Sequence, residues 1–241
     1  MHARALIATA LIAASATLAA CSSDNVLGLG VAGGGTSTDS LSNARIRFVN
    51  ATSTSFDVAT GGSVTTGNGP LGFGAASTCI STNAVTPNVA VRIAGTSNAV
   101  PGFTTAYQSG VSYTVIAFTG ANGATQFATI ADTYTPASGQ TAFRAFNAGS
   151  ASSSYDVYVT APSASLTTTP PTFSTVTAGS NSGFIDVSTT SSQQVRVTAA
   201  GSKTVLLDLG NVAFVAGQSV TLVLAPPLTG TVPRSFFVAT C

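Results

Sequence analysis

Charge is what this 241-residue chain has least of. Only 6% of its residues are Asp, Glu, Lys or Arg, against roughly 25% in an ordinary soluble protein. Glu and Trp are absent, and His and Met occur once each, at positions 2 and 1. The 8 basic and 7 acidic residues nearly cancel, to a net charge of +1. So sparse a charge excludes a basic nucleic-acid surface, an acidic tail and the charged helices of a bundle or coiled coil. No nucleic-acid partner is expected. Hydrophobic residues reach 44%, yet they are dispersed among Ser, Thr, Gly and Asn. That is the composition of an all-β protein with a hydroxyl-rich surface.

The N-terminus reads Met1-His2-Ala3-Arg4 and then an apolar run from Ala5 to Ala20. One Arg before a short run of Ala, Leu and Ile is the pattern of a secretory signal peptide. The run falls short of the roughly 20 residues a spanning helix needs. It ends Leu18-Ala19-Ala20-Cys21, which resembles the bacterial lipobox Leu-[Ala/Ser/Thr]-[Gly/Ala]-Cys. In such chains the Cys is acylated and cleavage falls just before it. Residues 1–20 are thus expected to be a lipoprotein signal peptide, with Cys21 as the lipidated residue. Cleavage there removes Arg4 together with the only His and the only Met. A His general base, a Ser-His-Asp triad and every His-based metal site are then excluded from the mature chain. Residues 21–41, rich in Gly and Ser, read as a flexible tether. Gly28-Leu29-Gly30-Val31-Ala32-Gly33 formally spells G-x-G-x-x-G, but no strand precedes it and no helix follows, so no dinucleotide loop is expected.

The rest of the chain contains a weak duplication. Arg47 and Asn50 recur as Arg144 and Asn147, and Ser55-Phe56-Asp57-Val58 recurs as Ser154-Tyr155-Asp156-Val157. Val89–Ile93 matches Gln193–Val197, an offset of 104, and Gly110–Ile116 matches Gly217–Val223. The offset only rises along the chain, as insertions in the second copy require, and Ser163–Thr172 is one such insertion. Each copy reads as strands. Arg45–Val49 alternates polar and apolar, and Ser112–Phe118 and Ser219–Leu224 are β-branched or aromatic runs bounded by Gly or Pro. No window offers a helical stripe. Short strands at regular spacing in about 100 residues argue for a sandwich of the immunoglobulin-like kind. Pro136-Ala137-Ser138-Gly139 marks a boundary between domains at 42–136 and 137–241.

The run Ala-x-Arg-x-x-Asn-Ala, the following Asp-Val and the Gly-x-x-Tyr-Thr-Val strand resemble the DUF4397 family. The matching positions are Arg47, Asn50, Ala51, Asp57, Val58, Gly110, Tyr113, Thr114 and Val115. The second copy matches at Arg144, Asn147, Ala148, Asp156, Val157, Tyr158 and Gly217. Family members carry Ser-Pro-Asp-Ala-Pro after the Asn; here Thr52-Ser53-Thr54 and Gly149-Ser150-Ala151 stand there, a degraded motif. The resemblance covers residues 42–241 and implies a secreted or lipid-anchored bacterial domain, often in tandem. It brings no catalytic or binding residues.

The chemistry the residues could support is limited. Asp57 and Asp156 recur at equivalent places, but the Asp residues come singly, without the clustered carboxylates a Ca²⁺ site needs. Each is expected to hold a nearby Arg or turn amides. Arg47, Arg92, Arg144 and Arg196 lie inside strands, where they either grip an anion or point outward toward Asp. Asn50 and Asn147 end strands and are expected to make turn hydrogen bonds. A glycosidase needs two facing carboxylates; Asp57 and Asp132 are candidates that no spacing favours. A sugar platform would have to use Tyr107, Tyr134 and Tyr158. Once Cys21 is lipidated, Cys79 and Cys241 are the two remaining thiols, and in an oxidising compartment they read as a disulfide.

The expectation is therefore an all-β chain: two tandem immunoglobulin-like β-sandwich domains after a lipoprotein signal peptide. It is anchored to the membrane by its N-terminal lipid, in the bacterial envelope and at the outer membrane, since Ser22 rather than Asp follows Cys21. It acts as a non-enzymatic structural or interaction module with an envelope protein or polysaccharide as partner. No catalytic residue, metal or cofactor is expected, and no ligand-binding residue is named. A carbohydrate- or polymer-binding surface lipoprotein is the alternative, and an Asp-dependent hydrolase ranks below it.

Overall fold

The computed structural model describes residues 43–103 and 106–241. Fifteen strands and no helix occur among them. The first half holds β1 (Asn43–Asn50), β2 (Phe56–Thr60), β3 (Ser63–Val64), β4 (Ile80–Asn83), β5 (Val89–Ile93), β6 (Ser112–Thr119) and β7 (Thr125–Ala131). The second half holds β8 (Gln140–Asn147), β9 (Ser154–Thr160), β10 (Phe173–Thr177), β11 (Ile185–Ser188), β12 (Gln193–Ala199), β13 (Val205–Val212), β14 (Ser219–Ala225) and β15 (Arg234–Ala239).

The sheets repeat. In the first half β4-β1-β6-β7 faces β3-β2-β5; in the second, β11-β8-β14-β15 faces β10-β9-β12-β13. In both, the opening strand pairs parallel with a late one: Arg47 lies beside Thr114 and Arg144 beside Thr221. The extra strand of the second half is β13. Each sandwich has its own core. Ile46, Phe48, Phe56, Val58, Val91 and Val115 fill the first; Phe143, Val157, Val195, Val197, Leu222 and Leu224 fill the second.

A third core joins them. Val49, Ile116 and Phe118 of the first half pack with Phe146, Val223 and Val238 of the second, all buried. Phe118 and Phe146 meet edge to face at 5.6 Å between centroids. The sheets β4-β1-β6-β7 and β11-β8-β14-β15 are thus covered on both faces. This explains why the alternation in β1 fails after Arg47: Phe48, Val49 and Asn50 are buried in succession. In β8 every residue after Gln140 is buried. A strand covered on both faces reads as a continuous apolar run.

One register differs from the sequence alignment. Asp57 stands opposite Arg92, and Asp156 stands opposite Thr198. Thr198, not Arg196, therefore occupies the place of Arg92, and Arg196 occupies the place of Ala90. The sequence match of Val89–Ile93 to Gln193–Val197 is two residues out. A slip of two preserves which side chains face the core, so apolar alternation could not detect it.

Candidate functional site

Cys21, the lipobox, Asp39 and the Gly28–Gly33 run lie outside the described residues. The polar groups that the fold does gather lie along the seam between the halves. Arg144, in the middle of β8, is 1% exposed, and its Nη2 donates to Asp132 Oδ1 at 2.6 Å. Asp132 follows the end of β7, so the pair crosses from one half to the other. Thr114 Oγ1 donates to Asp132 Oδ2 at 2.7 Å, and Arg144 Nε donates to Thr221 Oγ1 at 2.8 Å. The Arg144 guanidinium also stands 4.3 Å over the Phe184 ring.

Burial sets the electrostatics. Loss of water pushes the Asp132 carboxyl above its ordinary range, although Arg144, Thr114 and Arg47 pull it back. The same loss of water lowers Arg144 while Asp132 raises it. Both partners shift in the direction that disfavours charge, so desolvation outweighs their mutual attraction. This buried ion pair holds one carboxylate, with the hydroxyls of Thr114 and Thr221 as its hydrogen-bond partners.

Arg47 makes the matching contact from the first half. Its Nη1 donates to the carbonyl of Ala239 at 2.7 Å, and its Nη2 lies 3.1 Å from Cys79 Sγ. Cys79 is bonded to Cys241, with Cα atoms 5.7 Å apart. Cys79 precedes β4 as Phe184 precedes β11, and Cys241 lies two residues past β15. One crossing of the seam is closed by a disulfide and the other by an ion pair with an aromatic ring.

The other candidates are dispersed. Asp57 Oδ2 accepts from the Gly95 amide, while Asp156 accepts from Thr175 and Gly201 amides. Turn amides hold both, and neither forms an ion pair with Arg. Asp57 sits on the outer sheet and Asp132 in the seam, so they do not face each other. No group of three or more metal-ligating acids or thiols occurs among the described residues. Arg92 donates to the Gly62 carbonyl. Asn50 and Asn147 do the same work in each half. The Asn50 amide donates to the Thr54 and Leu71 carbonyls, that of Asn147 to Ser153 and Val176. Each Oδ1 accepts the amide two residues on.

The three tyrosines do not make a platform. Tyr134 is exposed but stacks on Phe184. Tyr107 is half-buried, and burial, with Tyr113 beside it, pushes its hydroxyl up to about 12. Tyr158 is buried. The sequence reading missed a repeated serine. Ser77 and Ser182 each accept the amide of a central strand, from Phe48 and Ala145. Both lie in polar stretches, and they stand at different distances from Asn50 and Asn147, so no pattern in the sequence marked them.

The family model of a domain of unknown function, DUF4397, matches residues 44–158. That match runs from β1 into β9, a shorter span than residues 42–241. The repetition in the second half rests on strand order. A search of curated proteins finds no match.

Proposed function

We propose that this chain, with its match to DUF4397, is a cell-envelope lipoprotein that works as a non-enzymatic structural or interaction module. A lipid on Cys21 holds it to the membrane, and Ser22 directs it to the outer membrane. The observation that carries this reading is the Cys79–Cys241 disulfide. Such a bond persists in compartments that lie beyond the cytosol, which is where the N-terminal signal sends the chain. The bond and the buried seam join the two halves into one compact unit, as suits a spacer or docking module. The polysaccharide alternative requires Tyr rings open on one face, and Tyr107, Tyr134 and Tyr158 occupy different surroundings.

Palmitate labelling with membrane fractionation tests the anchor. The native chain should take label and sediment with membranes. Cys21→Ser should lose the label and either stay uncleaved or enter the soluble fraction. Equal labelling and fractionation of the two would overturn the lipoprotein reading.

A further inference from the structure

Because the halves share a strand order, their differences stand out. Along β12, Val195 and Val197 enter the core, so Gln194, Arg196 and Thr198 take the opposite face. Arg196 stands beside Tyr158 of β9. The corresponding pair in the first half is Ala90 beside Ala59. From the turn after β12, exposed Lys203 places Nζ 3.2 Å from the Tyr158 hydroxyl and 5.0 Å from the ring centroid. A Tyr, an Arg and a Lys therefore cluster where the first half has two alanines.

Only the second half also has a strap over this face. Val176 comes twenty-one positions after Tyr155, where Leu71 comes fifteen after Phe56, the equivalent pair. The added chain lies in residues 161–172. Thr172 Oγ1 pins its end to the Val159 backbone; before that few bonds tie it down: Lys203 Nζ donates to the Thr169 carbonyl at 2.6 Å, and the Ser163 amide donates to Gln194 Oε1 at 2.8 Å. Leu166 is its one buried side chain. Ser163 sits at φ 63°, a region non-glycine residues seldom occupy.

Under the strap Arg196 is 8% exposed. Its Nη2 donates to Thr160 Oγ1 at 2.8 Å, and its Nε is buried with no partner. Asp208 stands opposite in register, but its oxygens accept from Gln194 and from the Gly210 amide. Among the described residues the one ion pair is Asp132–Arg144. A guanidinium cannot shed its charge, and a buried charge without a counter-ion is costly. Ala90 shows that the fold does not require it.

We infer that Arg196, Lys203 and Tyr158 form a binding site for an oxyanion-bearing ligand, a carboxylate, sulfate or phosphate, with the strap 161–172 as its cover. Arg196 Nε and Lys203 Nζ supply charge-assisted donors. The Tyr158 oxygen accepts from Lys203 and keeps its own O–H to donate. The strap lifts by releasing Thr169 and Ser163, and the anion takes the place of the Thr169 carbonyl on Lys203.

Thermal unfolding of the full chain tests this at fixed ionic strength, with chloride exchanged for phosphate, sulfate or glucuronate. Excluded anions stabilise any fold without saturation, so the readout is the saturable part of the rise in Tm. The native chain should show it. Arg196→Gln should need about tenfold more ligand or lose saturation, a factor worth about 1.4 kcal/mol, and should melt higher in chloride. Lys203→Gln should weaken binding without that gain. The anion that saturates lowest separates an inorganic oxyanion from a sugar acid. Leu166→Ala, which loosens the strap, should lower the concentration for half-saturation. Absence of saturation in the native chain, or identical curves in Arg196→Gln, overturns the site. An unchanged or raised half-saturation in Leu166→Ala overturns the cover.

Discussion

The strand-ending Asn residues and the buried Asp132–Arg144 pair respond differently to substitution. Asn147 is fully buried and satisfies two carbonyls and one amide at the end of β8. Asn147→Ala strands the Ser153 and Val176 carbonyls, and unmade buried hydrogen bonds cost about 1–3 kcal/mol each. Urea denaturation should register a loss of about 2–3 kcal/mol, and Asn50→Ala a similar one. Asp132 and Arg144 behave differently because both are desolvated. Asp132→Ala leaves a buried guanidinium alone and should cost about 3–5 kcal/mol. The joint change Asp132→Leu with Arg144→Met should be near neutral or stabilising in the same assay. The pH dependence follows from the raised Asp132 carboxyl. A group whose folded value lies above its unfolded one stabilises fully below the unfolded value, and that part is lost as pH rises through the folded value. Stability attributable to Asp132 should therefore fall from about pH 4 upward, and Asp132→Asn should remove that slope.

At the scale of elements, strand ends do the joining. The bond from Cys79, just before β4, to Cys241, just after β15, spans 162 residues of sequence. Chain entropy assigns about 5 kcal/mol to a loop of that length, and measured values run lower. Cys79→Ser should lower urea stability by about 2–5 kcal/mol. Non-reducing peptide mapping should recover Cys79 linked to Cys241, and two alkylatable thiols in protein taken from the cell would refute the bond. Glycine matters at one repeated turn. Gly74 and Gly179, at φ 77° and 75°, each donate an amide to the carbonyl of the strand-ending Asn. A left-handed residue there lets the chain double back under β1 and β8.

The whole molecule is tied together by a middle core that lies between the cores of its two sandwiches. Val49, Ile116 and Phe118 in one half and Phe146, Val223 and Val238 in the other are buried in one shared cluster. Each large apolar side chain contributes about 1.5–3 kcal/mol on burial, so the halves should unfold together. Hydrogen exchange followed through urea should give coincident transitions for peptides from β2 and β9. Separate transitions would make the seam a docking surface instead of a core. Phe146→Ala should cost about 3–5 kcal/mol and lower both halves equally.

The sequence by itself determined the all-β class, several strands nearly to the residue and the repeated Asn and Asp turns. Those features are local: β-branched runs, Gly and Pro at strand ends, and side chains bonding to nearby backbone. Val89–Ile93 is β5 as read, and Ser112–Phe118 lies within β6. The sequence also paired Cys79 with Cys241, because compartment and count leave few partners. Only the tertiary structure decided where charge is buried. Arg47, Arg144 and Arg196 look alike in strands, yet one crosses to a disulfide, one to a carboxylate, and one lies under a strap without a counter-ion. That outcome depends on which faces the sheets cover, and on a two-residue register that alternation cannot detect.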